Sequence, residues 1–395
     1  MERLAVLEQK KHTMPTAVFF NAETNGIVFG RQAIAEYQAA YPGRLMRSLK
    51  SLLGSDLMRE TTLINGKAVA YSNILALFLT HVKQRAEAEA GTELKQLVLG
   101  RPVFFVDDDP VRDADAQSAL ENIAKSVGYR EVHFQYEPIA AALDFERRLS
   151  QETLVLVADI GGGTSDFTLI RLGPQRALRS DRRADVLANG GVHIAGTDFD
   201  QQISLASVMP QLGYGGITRN GKPIPAHFYF ELATWHRINL LYAPQAVAAA
   251  ESMSTIFQDR NAHARLMRVL REREGHRLAG EVEDAKVGVA ETGRAEIDLG
   301  FIEKALAVRL TADKLERALA TAFNKISVAA RCTVQAAGIP PERVEAIYFT
   351  GGSTGIPALR AEIAKSFQNA RVVIGEQFAS VANGLGVHAR TLFAA

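Results

Sequence analysis

Thr153 to Arg171 reads T-L-V-L-V-A-D-I-G-G-G-T-S-D-F-T-L-I-R. Leu154 to Ala158 is the unbroken apolar run of a strand buried on both faces. Phe167 to Ile170 is a second strand-like run. Between them stand Asp159, Gly161, Gly162, Gly163, Thr164 and Asp166. Each glycine costs roughly 0.5–1 kcal/mol of extra chain entropy on ordering, so three in succession in a buried hairpin need a cause. Close backbone approach to a bulky anion supplies one, with N–H groups turned toward phosphate oxygens and Thr164 adding a hydroxyl. Asp159 and Asp166 do not suit direct contact with phosphate, but they suit a hydrated Mg²⁺ that bridges it. An ordinary glycine hairpin is the alternative reading. Two other phosphate loops are excluded. The glycines lead into no G-K-[ST], and they lead into a strand, where a dinucleotide fingerprint needs a helix.

The pattern D-x-G-G-G-T-x-D between two strands resembles the second phosphate loop of the actin-like ATPase superfamily. Within it the sequence is similar to the nucleotide-binding domain of DnaK-type chaperones, the heat-shock protein 70 family. Other segments carry the resemblance in order. Met14-Pro15-Thr16 resembles a T-x-P-[ST] motif. Arg44 to Gly54 resembles K-R-L-I-G, which implies that Lys50 faces the γ-phosphate and positions the attacking water; by spacing alone Lys50 is a helix lysine. Tyr136 to Leu143, Y-E-P-I-A-A-A-L, resembles N-E-P-T-A-A-A, whose glutamate, here Glu137, faces a metal–phosphate cluster. An acidic residue satisfying a helix N-terminus explains Glu137 equally.

His193 to Asp200, H-I-A-G-T-D-F-D, resembles H-L-G-G-E-D-F-D, a phosphate-side loop running into a helix. Gly196 matches there, and a capped helix start explains Thr197 and Asp198 without a ligand. Glu281 to Ala290 resembles a helix over the nucleoside, with Glu283 and Lys286 at positions that reach a ribose. Val287 and Ala290 replace the arginine and serine of that helix. By spacing alone Glu283 and Lys286 form an i, i+3 surface ion pair. After the strand Ile347 to Thr350, G-G-S-T-G-I-P resembles G-G-S-T-R-I-P. There Gly351 and Gly352 admit a flat base and ribose, Ser353 bonds the base, and Gly355 replaces a stacking arginine. Ser380 to Gly386 resembles a second connecting helix.

Composition bounds the rest. With 395 residues, two to three domains are expected. Apolar residues make 47% and charged residues 23%, and a net charge of +1 provides no field for nucleic acid. No apolar run approaches the roughly 18 residues of a membrane span, and the first residues lack a signal-peptide core. The single cysteine, Cys332, fits a reducing cytoplasm and is expected to lie buried in a helix. Leu4 to Leu7, Thr16 to Phe20 and Ile27 to Phe29 read as strands, and Ser72 to Glu89 as an amphipathic helix. Leu97 to Phe105 reads as a strand interrupted at Pro102, either a strand end or, by resemblance, a switch. Asp107, Asp108 and Asp109 suit a metal or, better, the acidic start of a helix that follows over Val111 to Gly128, and Thr311 caps one ending at Gly338.

The fold expected is α/β, with two ribonuclease-H-like lobes around a nucleotide cleft. Lobe one takes residues 1–150 and a return over 371–395. Lobe two takes 151–370, with a mostly helical subdomain over 195–317. The resemblance, nearest to the YegD-like subgroup, implies ATP or ADP with Mg²⁺ as cofactors. It also implies ATP/Mg-dependent lobe closure and a chaperone-related role in the cytoplasm. No nucleic-acid or membrane partner is expected. A non-catalytic interaction module and, less well supported, a sugar or acid kinase of the same superfamily are the alternatives. The family's first phosphate loop, D-x-G-T-x-[NT]-S, has no counterpart before Gly26. About twenty residues of hairpin are therefore expected to be missing, with weak nucleotide binding, negligible hydrolysis and an open strand edge in one lobe. The sequence also lacks a peptide-binding β-domain, so no ATP-controlled peptide binding is expected.

Overall fold

The structure is a computed structural model. It describes residues 4–8, 10–47, 49, 53, 58, 60–106, 109–179, 181–375 and 379–393. The chain divides into two compact units, Met1–Gln151 with Phe378–Ala395, and Glu152–Gln377.

The first unit begins with β1 (Ala17–Asn21), β2 (Ile27–Phe29), α1 (Gly30–Gln38) and β3 (Gly43–Arg47). Both β2 and β3 pair antiparallel with β1. Side chains alternate along a strand, and β1 uses both faces: Val18 and Phe20 enter one core cluster, Ala17 and Phe19 another. A hairpin comes next, β4 (Thr61–Ile64) and β5 (Lys67–Ala70), turned by Asn65 and Gly66, both at positive φ. Then come α2 (Tyr71–Ala90), β6 (Gln96–Arg101), α3 (Pro110–Ser126), β7 (Glu131–Tyr136) and α4 (Glu137–Glu146). Helix α2 buries Ile74, Leu75 and Phe78 at helical spacing. Strands β6 and β7 run parallel through α3, and among the described residues β6 has no other strand beside it.

Leu4 to Leu7, expected as a strand, is not one; only Glu8 and Lys11 form an isolated bridge nearby. Strand β6 stops at Arg101, ahead of Pro102, which has no N–H to give a ladder. The buried Arg101 guanidinium is held by Asp113 at 2.7 Å. The Asp109 carboxylate accepts the Arg112 N–H at 3.0 Å and so caps α3.

The second unit holds β8 (Thr153–Ile160), β9 (Ser165–Leu172), α5 (Pro174–Ala177), β10 (Val186–Val192), α6 (Gly196–Ile203), α7 (His227–Ala233) and α8 (Pro244–Ser252). It continues through α9 (Arg260–Arg271), α10 (Gly275–Thr292), β11 (Arg294–Asp298), β12 (Ala307–Thr311), α11 (Ala312–Ala336), β13 (Ala346–Thr350), α12 (Pro357–Ala364) and β14 (Arg371–Ile374). Helix α13 (Ser380–Phe393) returns to the first unit and packs on α4 and β6.

One sheet in the order β10-β9-β8-β13-β14 organises this unit. Its first three strands are antiparallel; β13 joins β8, and β14 joins β13, in parallel. Parallel neighbours need crossovers, and the long segment ending in α11 and then α12 provide them. The sheet centre is dry: Leu156, Ala158, Phe167, Leu169, Ile347 and Phe349 are fully buried in one continuous core. Residues 371–374, assigned from sequence to the return into lobe one, extend this sheet as β14. The region expected to be mostly helical also contains the β11–β12 hairpin. Cys332 is exposed on α11, against the expectation of burial.

Candidate functional site

The second unit's sheet carries its glycine hairpin at one end of β8. Asp159 and Asp166 are direct cross-strand partners there. Opposed residues of an antiparallel pair share a face with Cβ atoms about 4.5–5.5 Å apart, and like charges so placed repel. The Thr164 hydroxyl donates to Asp166 Oδ2 at 2.7 Å. Asp159 lies against the turn after β13: a Cβ on Gly351 would stand 2.6 Å from its Oδ1 and 2.4 Å from the Ile160 carbonyl oxygen. Gly351 also has φ +87°, so backbone shape and space both demand glycine.

The hairpin itself turns its carbonyls inward. The Gly161 N–H closes the turn on the Thr164 carbonyl at 3.0 Å. The Gly161 carbonyl accepts the Gly196 N–H at 3.2 Å and the Ser353 hydroxyl at 2.7 Å. The Gly162 carbonyl accepts the Thr197 N–H at 2.7 Å and the Thr197 hydroxyl at 2.9 Å. Gly162 and Gly163 are exposed, and neither has a left-handed φ. A Cβ on either would meet nothing within 4 Å, and among the described residues their N–H groups have no acceptor. These two glycines therefore relieve no strain or clash inside the protein. They leave an open edge of backbone N–H groups, a surface suited to an anion.

Helix α6 starts beside this edge, with the Asp198 carboxylate accepting the Ala195 N–H at 2.9 Å. From α10, Lys286 reaches in: Nζ lies 2.7 Å from Asp200 Oδ1 and donates at 3.4 Å to the Gly196 carbonyl. Lys286 is only 8% exposed. The i, i+3 surface pair expected from spacing is thus replaced by a buried cross-helix pair, while Glu283 faces solvent one turn away. Burial pushes the Asp200 carboxyl up to about 6; Lys286 opposes that shift and Glu283 adds to it. Behind the 351–355 turn, Arg360 of α12 donates to the Thr354 carbonyl, and burial lowers its guanidinium pKa.

One constellation therefore gathers Asp159, Gly161, Gly162, Gly163, Thr164, Asp166, Gly196, Lys286, Gly351, Gly352 and Ser353. The Ser353 hydroxyl, assigned to a base by resemblance, is engaged by the hairpin. Glu137 belongs to the other unit, as the first residue of α4. It lies against β6, where a Cβ on Gly100 would be 2.9 Å from its Cγ. Lys50 falls outside the described residues. Thr197, read from sequence as part of a capped helix start, Asp200, at the end of the same quoted loop, and Arg360 are site neighbours to which sequence reasoning gave no role at the site. The signal for the first two is present in the sequence: both stand within about one turn of Gly196, the matched glycine of its loop.

Among the described residues no three His, Cys, Asp or Glu side chains gather for a metal. Two carboxylates beside free N–H groups suit Mg²⁺, which keeps most of its water and takes one or two carboxylates plus phosphate oxygens. The same donor set is too sparse for a stripped all-protein cage.

The family model described as Hsp70 protein matches residues 9–208 and 258–394. The chain belongs to the Hsp70 family. Its α/β fold is accordingly that of the Hsp70 type of actin-like ATPase. The match takes in every residue of the constellation, together with Lys50 and Glu137. Residues 209–257 lie outside it. They include α7 and α8, and they add Phe228, Tyr229, Leu232, Leu241 and Phe257 to the second unit's core. Among the described residues no helix of this Hsp70-family chain is long and apolar enough to cross a membrane.

Proposed function

We propose that this Hsp70-family chain binds ATP and ADP with Mg²⁺ at the constellation of its second unit. The observation carrying the proposal is the hairpin: carbonyls of Gly161 and Gly162 bonded inward, N–H groups of Gly162 and Gly163 open. The inward carbonyls tie the hairpin to α6 and Ser353, and the open N–H edge suits an anion. The open N–H groups take phosphate oxygens. Asp159 and Asp166 hold water ligands of Mg²⁺, which when bound neutralises phosphate charge. Lys286 and Glu283, with the backbone of Gly351 and Gly352, flank the nucleoside. Lys50 and Glu137 complete the phosphate environment on the family pattern, and nucleotide-dependent closure of the two units belongs to that pattern too. A chaperone-related role, YegD-like character and cytoplasmic residence are part of the same reading.

Calorimetric titration of ATP and ADP, with and without Mg²⁺, tests it. Saturable binding that Mg²⁺ strengthens is expected; absence of binding in both conditions overturns it. A second reading, a nucleotide-binding interaction module without turnover, draws on three substitutions. Val287 is 47% exposed on α10, and Ala290 and Gly355 bring no polar side chain to the nucleoside wall. Phosphate release measured on the same protein separates the two, since binding without release supports the module.

A further inference from the structure

The Lys286–Asp200 pair is, among the described residues, the one buried ion pair that touches the constellation. It joins the inward faces of α10 and α6. A lysine ammonium has three donors. One goes to the Gly196 carbonyl at 3.4 Å, and the ammonium nitrogen stands 2.7 Å from Asp200 Oδ1 as an ion pair. Among the described residues the ammonium meets no further protein acceptor. Gly196 is itself part of the site: its N–H is on the Gly161 carbonyl, and a Cβ there would stand 2.7 Å from the Ser353 hydroxyl oxygen. The ammonium is therefore held on the carbonyl of the same residue whose N–H contacts the hairpin.

As a stabiliser the pair is poor. Removing two charges from water costs several kcal/mol per ion, and an apolar pair of similar volume often does as well. At Asp200 the cost of burial outweighs the attraction of Lys286. The charged groups that bear on Asp200 are Lys286 and Glu283, both on α10, while α11 meets α6 through Phe323, edge-on to Phe199. A costly pair set against an open binding edge points to positioning.

We infer that Asp200 is a positioning residue: it holds the Lys286 ammonium at the Gly196 carbonyl so that its remaining N–H is presented to the bound nucleotide. The inference rests on the nucleotide reading above for its ligand, and on the pair's geometry for everything else. Without the Asp200 charge, Lys286 has only a long bond to a neutral carbonyl and no fixed direction. Hydrogen bonds to charged groups are among the stronger ones, so losing this one's alignment is expected to cost roughly tenfold in affinity.

The test uses the full chain and the variants Asp200→Asn, Asp200→Glu and Lys286→Met. ADP affinity with Mg²⁺ is measured by calorimetry from pH 5 to 8, comparing proteins at each pH so that the nucleotide's own titration cancels. At pH 8, Asp200→Asn is expected to bind about tenfold more weakly than the parent, Lys286→Met similarly, and the double variant no worse than either. Toward pH 5 the parent approaches Asp200→Asn, because Asp200 takes up a proton near pH 6. Asp200→Glu keeps the charge and recovers part of the affinity. Separately, without nucleotide, acetylation of Lys286 is followed by mass spectrometry at pH 8 and is expected to be several-fold faster in Asp200→Asn. Parental affinity in Asp200→Asn, or unchanged Lys286 labelling in a variant with parental melting, overturns the inference. If no protein binds ADP, the nucleotide reading falls and the labelling comparison still decides whether Asp200 holds Lys286.

Discussion

At the scale of single residues, the glycines of the site separate into two kinds. Gly351 is fixed by the fold: φ is +87°, and a Cβ would press on the Ile160 carbonyl and on Asp159. A non-glycine residue held at such a φ costs of order 1–3 kcal/mol before any clash. Gly351→Ala is therefore expected to lower the melting temperature, by about 2–4 °C per kcal/mol for a domain of this size. An unchanged melt would show that the turn adapts. Gly162 stands in open space without a left-handed φ, so Gly162→Ala should change stability by less than ~0.5 kcal/mol. Its affinity for ADP should nonetheless fall, since the added methyl occupies the open edge; equal affinity would place the phosphate elsewhere. Asp159→Asn is isosteric and is expected to leave the fold intact. It should also weaken the Mg²⁺ dependence of nucleotide binding, and an identical Mg²⁺ dependence in both proteins would deny Asp159 that role.

At the scale of elements, the parts legible in the sequence and the parts hidden from it have distinct causes. The β8–β9 hairpin is legible because an apolar run, three glycines and flanking carboxylates leave few other foldings. Helix α2 is legible from its periodicity, α3 from its acidic start, and α11 from the Thr311 cap and the Gly338 stop. Leu4 to Leu7 misleads because a four-residue apolar run names a strand without naming its partner, and pairing decides. Lys286 misleads because i, i+3 spacing describes one helix, while its partner Asp200 lies on another. His276, in the first turn of α10, gives no sequence signal either. It is 2% exposed beside Trp235, their rings 5.1 Å apart, and burial lowers its pKa to about 4. The folded state thus disfavours its proton while the unfolded chain accepts it near pH 6.5. The stability it contributes is complete above pH 6.5 and is lost as pH falls toward 4, up to ~3 kcal/mol. Asp200 has the opposite sign, because its carboxyl is raised in the fold. Urea midpoints at pH 7.5 and 4.5 should therefore drop less in His276→Gln than in the parent. Equal drops would mean that His276 stays protonatable in the fold.

At the scale of the whole molecule, the two units differ in how the chain builds them. The first is discontinuous, closed by α13 returning after residue 378, and its β6–β7 pair stands as a two-stranded sheet among the described residues. The second runs without interruption from Glu152 to Gln377. Its five-stranded sheet and its continuous core, from Leu156 to Phe367, are drawn from that segment alone. The hairpin, the 351–355 turn, α6 and Lys286 all belong to it as well. A segment of this size with its own core can bury enough apolar surface to fold by itself. Residues 152–377, expressed alone, are therefore expected to unfold in one cooperative calorimetric transition. They should also keep the slow labelling of Lys286 seen in the full chain, because the Lys286–Asp200 pair needs no residue outside the segment. Any affinity for ADP that survives in the fragment measures what the second unit contributes by itself. A broad, non-cooperative transition with fast Lys286 labelling would show that the second unit depends on the first for its fold, and the constellation could then not be assigned to one unit.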